Sequence, residues 1–216
     1  ILKKEEINTH SLKDNLSIME RNTMRLLDLT NQLLDFRKTE AQGFQLNFMI
    51  CDISQLIKDT YIRFYPAAKQ NDLTFKIGLP EQNFNAAVDK EALTKILSNL
   101  FNNAVKYAKS YIHVSLHAPT DEQNDFFSIT VSNDGLPIPV EMKEKIFEPF
   151  VQIKNVSNGQ TKTGTGIGLP LARSLTELHR GKLYLKDSDD ICFCIELPIK
   201  QEKTILLQKT EIEKPV

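Results

Sequence analysis

The chain has 216 residues, 41% of them hydrophobic and 25% charged, with a formal net charge of −1 at pH 7. That length holds one medium domain and a small appendage, and the near-neutral balance lacks the basic footprint of a nucleic-acid binder or of a protein held on an acidic membrane surface. No run of about 18 apolar residues is present to cross a bilayer. The three cysteines, Cys51, Cys192 and Cys194, form no metal-ligand set and fit a reducing compartment. The sequence starts at Ile1 with no secretory pattern behind it, which suggests a piece of a longer protein.

In chain order, the first signal is a stretch from Leu12 to about Glu40 without proline or glycine. Leu12, Leu16, Met19, Thr23, Leu26, Thr30 and Leu33 alternate by four and three, and Leu27 and Leu34 widen the stripe. Such a seam suits a helical bundle, and a single long helix must borrow partners, so a homodimer is expected. His10 is expected in a turn just before this helix.

From Phe44 to Pro198 the pattern predicts strands over residues 45–49, 74–78, 86–88, 111–118, 126–133, 182–186 and 192–197. Helices are predicted over 53–70, 90–108 and 169–178. Helices on one face of a mixed sheet make a two-layer α/β sandwich, an α+β arrangement, here preceded by the bundle helix. Cys192 and Cys194 share a strand face and are expected to pack rather than react. His113 and His117 also share a face, but no third ligand is suggested. His179 precedes Arg180 and Gly181 and reads as a helix end. Residues 152–163 are polar and are expected to form a cover, with Lys154 and Lys162 candidates to reach a phosphate and Phe147 and Phe150 anchoring its base. Residues 201–216 read as a linker.

Two motifs carry chemistry. Gly164, Thr165, Gly166, Ile167, Gly168 and Leu169 run directly into the last helix. Glycines there let backbone approach a polyphosphate while the first-turn amides point at the anion. Upstream, Asn99, Asn103, Lys106 and Tyr107 are spaced i, i+4, i+7 and i+8, on one side of a helix whose other side is apolar. Side-chain amides suit magnesium that also holds substrate phosphates, and an ammonium suits phosphate oxygens. Asparagine is a poor helix former, so Asn99, Asn102 and Asn103 together call for a reason beyond solvation.

With those residues in view, the chain resembles the ATP-binding domain of sensor histidine kinases. Residues 99–107 look like its N box, 133–138 like its first glycine box, 146–150 like its F box, and 164–169 like an intact second glycine box. The resemblance implies that Asn103 is the principal magnesium ligand with Asn99 beside it, and that Lys106 and Tyr107 lie near the phosphates and sugar. It implies ATP contacts from Asn133, Gly135, Ile138, Lys162 and residues 164–169. It makes 1–40 part of a dimerisation and histidine phosphotransfer bundle, 41–200 the ATP-binding catalytic domain and 201–216 a linker tail. A response-regulator receiver domain is the implied partner, within the cytoplasmic part of a membrane-anchored sensor.

Departures from the family pattern are informative. The family's Asp-X-Gly-X-Gly has Asn133 in place of its adenine-binding aspartate and Pro137 in place of its second glycine. An amide oxygen still accepts a hydrogen bond, without charge, and its NH2 could face a guanine carbonyl, which leaves purine choice open. Ile191 stands where the family often has threonine. Hydrolysing members carry a glutamate where Asn99 stands, and an amide takes no proton, so ATP should be held rather than hydrolysed. No phosphoacceptor motif is present, so the γ-phosphoryl would pass to a histidine outside this chain. Two alternatives remain at this point: a pseudokinase that signals by conformation, and a serine kinase of anti-sigma type.

Overall fold

The computed structural model describes residues 9–40, 45–119, 125–153 and 164–201. Helix α1 spans Thr9–Glu40 and is followed by β1 Met49–Asp52, α2 Ile53–Gln70, β2 Thr74–Gly78, β3 Asn85–Val88 and α3 Lys90–Tyr107. Next come β4 Tyr111–His117, β5 Phe126–Asn133, two short 3-10 turns at Val140–Met142 and Lys145–Phe147, α4 Gly168–Leu178, β6 Lys182–Lys186 and β7 Ile191–Pro198. Helix α1 takes in His10, which was expected in a turn; no proline or glycine separates His10 from the heptad stripe, so nothing stops the helix there.

Five strands form one sheet in the order β2-β4-β5-β7-β6, parallel between β2 and β4 and antiparallel elsewhere. Strands β1 and β3 form a separate antiparallel ribbon. The first strand lies later than the alternation from Gln45 predicts, because the Asn47 amide donates to Asp89 Oδ2 at 2.8 Å instead of joining a ladder. The other oxygen of Asp89 caps α3 by accepting from Ala92 N at 2.9 Å, and Asp52 caps α2 by accepting from Gln55 N at 2.9 Å.

All helices except α1 lie over the inner face of the sheet. That face carries Phe75, Ile112, Val114, Leu116, Phe127, Ile129, Val131, Phe193, Ile195 and Leu197, all buried. Leu93, Ile96, Leu97, Leu100 and Phe101 of α3 press onto it with no exposed surface. Phe101 packs edge-on against Phe75 and Phe64, at centroid distances of 5.4 Å and 5.8 Å. Cys192 and Cys194 are free and buried, but on the opposite face of the sheet from this core. Burial pushes both thiols above the ordinary range, which makes them inert rather than nucleophilic.

Helix α1 leaves Leu12, Leu16, Met19, Leu26, Leu27, Leu33 and Leu34 exposed while Phe36 is buried against the body. Asp35 pairs with Lys95 of α3 at 2.6 Å. Among the described residues no helix is long and apolar enough to cross a membrane.

His179, at the end of α4, is fully buried. Its Nδ1 lies 2.7 Å from Leu175 O and its Nε2 3.2 Å from the Asp89 amide nitrogen, so the neutral Nδ1–H tautomer satisfies both contacts. Gln201, assigned to the tail from sequence, is buried and donates to His179 O at 2.7 Å. Burial holds the imidazole pKa below its ordinary value of 6.5, outweighing the Leu175 carbonyl and the Asp89 charge. Above that pH the ring is neutral in both folded and unfolded states. As pH falls below about 6.5, the unfolded chain takes up a proton that the native chain refuses, and stability declines. Urea unfolding should therefore show stability falling between about pH 6.5 and 5. His179→Ala should flatten that decline and lower stability by about 3 kcal/mol at pH 7.5.

Candidate functional site

The cleft lies at the junction of α3, the C-terminal end of β5 and the loop that enters α4. Its polar wall is the outward side of α3, which exists because the residues between its polar positions are spent on the core. Asn99 and Asn103 are half-buried on this wall, whereas Asn102 points to solvent. The Asn99 amide nitrogen donates to Lys95 O at 3.0 Å, leaving its oxygen toward the start of α4. A Cβ placed on Gly168 would lie 2.9 Å from that oxygen. One placed on Gly164 would lie 2.9 Å from Lys106 Nζ and 4.0 Å from the Tyr107 hydroxyl. Lys106 sits 4.7 Å over the Tyr107 ring. Asn99 and Lys106 therefore approach the glycine run so closely that a Cβ at Gly168 or Gly164 would crowd them, with the Tyr107 hydroxyl beside them and Asn103 on the same wall between.

The loop itself is held by backbone. Gly166 has φ +70°, and its carbonyl accepts from Phe150 N at 2.8 Å. A Cβ there would meet the Phe150 Cα at 2.7 Å. The Thr165 hydroxyl accepts from Ile167 N at 3.1 Å and donates to Gln32 Oε1 of α1 at 3.3 Å. Gln152 Nε2 donates to Gly164 O at 2.8 Å. Ile167 is buried and provides no side-chain cap to α4, so the Gly168 and Leu169 amides at its start have no capping side chain. Leu169 and Ile138 pack against the core at the cleft margins.

At the inner end, Asn133 is buried and its Oδ1 accepts from Gly135 N at 3.0 Å. Ile191 pairs with it across β5 and β7. A Cβ on Gly135 would lie 2.7 Å from Asn133 Oδ1, 2.8 Å from Tyr107 O and 3.1 Å from Ile191 Cδ1. Asp134 faces the other way. Its carboxylate accepts from the Lys109, Ser110 and Tyr111 amides and from the Ser110 hydroxyl. Desolvation raises its pKa, but those donors outweigh it and hold the carboxyl well below the usual range. Asp134 thereby ties the end of α3 to the end of β5.

One expectation for the F-box pair is corrected. Phe147 is buried, with Arg173 stacked 3.7 Å from its ring centroid and Phe193 edge-on at 6.2 Å. Phe150 is 65% exposed and anchors nothing through its ring. It contributes its backbone instead, at φ +67°, where its amide reaches Gly166. Lys154 and Lys162 lie outside the described residues, as does most of the expected cover. Gln32, Gln152, Asp134 and the Phe150 backbone were not singled out from sequence. Each acts across a long sequence separation or through the main chain.

Residues 88–201 match the family described as histidine kinase-, DNA gyrase B-, and HSP90-like ATPase. Histidine kinase P4 of Formosa agariphila is 31% identical over 188 residues, which cover 85% of this chain and 14% of that protein. Sensor histidine kinase TmoS of Ectopseudomonas mendocina is 34% identical over 188 residues, covering 84% of this chain and 19% of that protein. The chain thus spans less than a fifth of the length of these two relatives. Among solved structures, full-length ShkA in complex with AMPPNP matches with a TM-score of 0.74 at 21% identity, over 86% of this chain and 38% of that one. Histidine kinase ThkA in complex with response regulator protein TrrA matches with a TM-score of 0.68 at 22% identity, over 92% of this chain and 53% of that one. The chain belongs to this ATPase family, in its sensor histidine kinase branch. The two-layer sandwich with its mixed sheet is the fold of that branch.

Gly166→Ala tests the loop geometry. It forces an alanine into a left-handed conformation against the Phe150 backbone, so the affinity for an ATP analogue should fall by more than about tenfold. Far-ultraviolet circular dichroism should be unchanged.

Proposed function

We propose that this chain is the ATP-binding kinase core of a two-component sensor histidine kinase. It holds Mg-ATP and presents the γ-phosphoryl group to a histidine outside the chain. The observation that carries this reading is the close approach of Asn99, Lys106 and Tyr107 to the glycine run, which only glycines at 164 and 168 permit.

The residues present fit a magnesium nucleotide. Asn103, with Asn99 beside it, offers neutral amide oxygens suited to a cation that keeps waters and shares phosphate ligands. When bound, magnesium neutralises charge on the phosphate oxygens. The Lys106 ammonium and the amides of Gly166, Gly168 and Leu169 take up the remaining phosphate charge. Tyr107 lies beside the sugar, and Asn133, Gly135 and Ile138 border the base. Lys162 is assigned to the phosphates from sequence alone.

Transfer consists of attack by an imidazole nitrogen on the γ-phosphorus, with the bond to the bridging oxygen breaking and ADP leaving. The protein's part is positioning and charge stabilisation. Asn99 cannot act as a general base on water, so the bound triphosphate is kept for the histidine.

Residues 1–40 are read as part of a dimerisation bundle. The uncovered leucines of α1 favour a homodimer, because apolar surface on that scale is otherwise left in water. A response-regulator receiver is the proposed downstream partner, and the cytoplasmic side of a membrane-anchored parent the proposed location. The pseudokinase alternative is favoured by Asn133 and Ile191, where charge and hydroxyl are both replaced.

Calorimetric titration with a non-hydrolysable ATP analogue separates the two readings. Magnesium-dependent binding that weakens by at least about 100-fold in Asn103→Ala supports the kinase core. Absence of nucleotide binding in the wild type overturns it in favour of the pseudokinase.

A further inference from the structure

The buried amide at the inner end of the cleft has one fixed orientation. Asn133 is 3% exposed, and its Oδ1 accepts from Gly135 N at 3.0 Å. Turning the amide over would set Nδ2 against the Gly135 N–H, donor against donor. Gly135 has little room beside this bond, since even a Cβ there would lie 2.8 Å from Tyr107 O and 3.1 Å from Ile191 Cδ1. The Nδ2 group has no partner among the described residues. No buried, unpartnered side-chain nitrogen or oxygen exists among them, so Nδ2 is not sealed in the core but keeps access at the inner end of the cleft, where Asn133 stands beside Gly135 and Tyr107. Ile191, directly across the strand pair, offers only hydrocarbon. Asn133 therefore meets a bound base with an N–H donor.

A donor at this place changes which bases are accepted. Adenine presents an amino group at its 6-position, flanked by ring nitrogens that accept; guanine and hypoxanthine present a carbonyl oxygen there. The Asn133 NH2 can donate to that carbonyl or to an adenine ring nitrogen. It offers no acceptor to the adenine amino group. A carboxylate at the same place, with one oxygen on the Gly135 amide, would accept from the amino group with its other oxygen and repel the carbonyl. Discrimination between purines depends on such unpaired or opposed polar groups.

We propose that Asn133 makes this pocket tolerant of the purine 6-substituent, so that 6-oxopurine nucleotides bind about as well as adenine nucleotides. This rests on the nucleotide pocket proposed above. The phosphate cradle is common to all these ligands and does not contribute to the choice.

The test is calorimetric titration of the whole chain with ADP, inosine diphosphate and GDP in magnesium. Inosine diphosphate is included because it isolates the 6-position from the guanine 2-amino group. In the wild type the Kd values for ADP and inosine diphosphate should lie within about tenfold of each other. Asn133→Asp should widen the ratio by at least about tenfold in favour of ADP, with thermal melting checking that the variant is folded. A wild-type preference for ADP above that range, or a ratio unmoved in a folded Asn133→Asp, overturns the inference and leaves the nucleotide pocket standing. Failure of all three nucleotides to bind overturns the pocket itself. The wild-type ratio decides the matter even if the variant fails to fold.

Discussion

Everything in this molecule depends on how α3 packs on the sheet. Leu93, Ile96, Leu97, Leu100 and Phe101 have no exposed surface, and burial of each such side chain contributes roughly 1.5–3 kcal/mol. The helix cannot rotate about its axis without exposing that row. Its period then fixes the opposite side, so Asn99, Asn103, Lys106 and Tyr107 face outward along one line. Polar residues that are individually poor helix formers are held in a helix because their neighbours are anchored below them.

The second wall of the cleft is organised by main-chain contacts. The left-handed Gly166 and the Phe150 amide brace the glycine run, while Thr165 and Gln152 fasten its flanks. The opening of α4 follows with no side-chain cap. A cap would stabilise the helix at the expense of the amides an anion would use. Opposite, Asp134 spans the end of α3 and the end of β5 through hydrogen bonds to residues 109–111. The two ends of the cleft are thus tied to the same helix by separate local devices.

The features that were legible in the sequence are local ones. The four polar positions of α3 and the glycines entering α4 declare themselves through fixed spacing, and alternation located most strands to within a residue or two. The first strand was misplaced because Asn47 gives its amide to Asp89, 42 residues away, which alternation cannot reveal. His179 reads as a plain helix end, yet its ring bonds a backbone amide 90 residues distant. Phe150 looks like a hydrophobic anchor, but its ring is exposed and its amide does the holding. The split of the strands into a sheet and a ribbon likewise depends on pairing between distant segments.

Asn133 and Ile191 sit at the paired ends of β5 and β7, beside the helix that forms the polar wall but outside its packed row. The two duties proposed for the cleft, base recognition and phosphate binding, thereby fall on different elements. Change at these strand ends alters a recognition surface without disturbing the hydrophobic anchorage of α3, whereas most positions in α3 answer to the core, the polar wall or both. Under the proposed function, evolutionary drift in base preference has an unobstructed route in this architecture, and drift in phosphate handling does not.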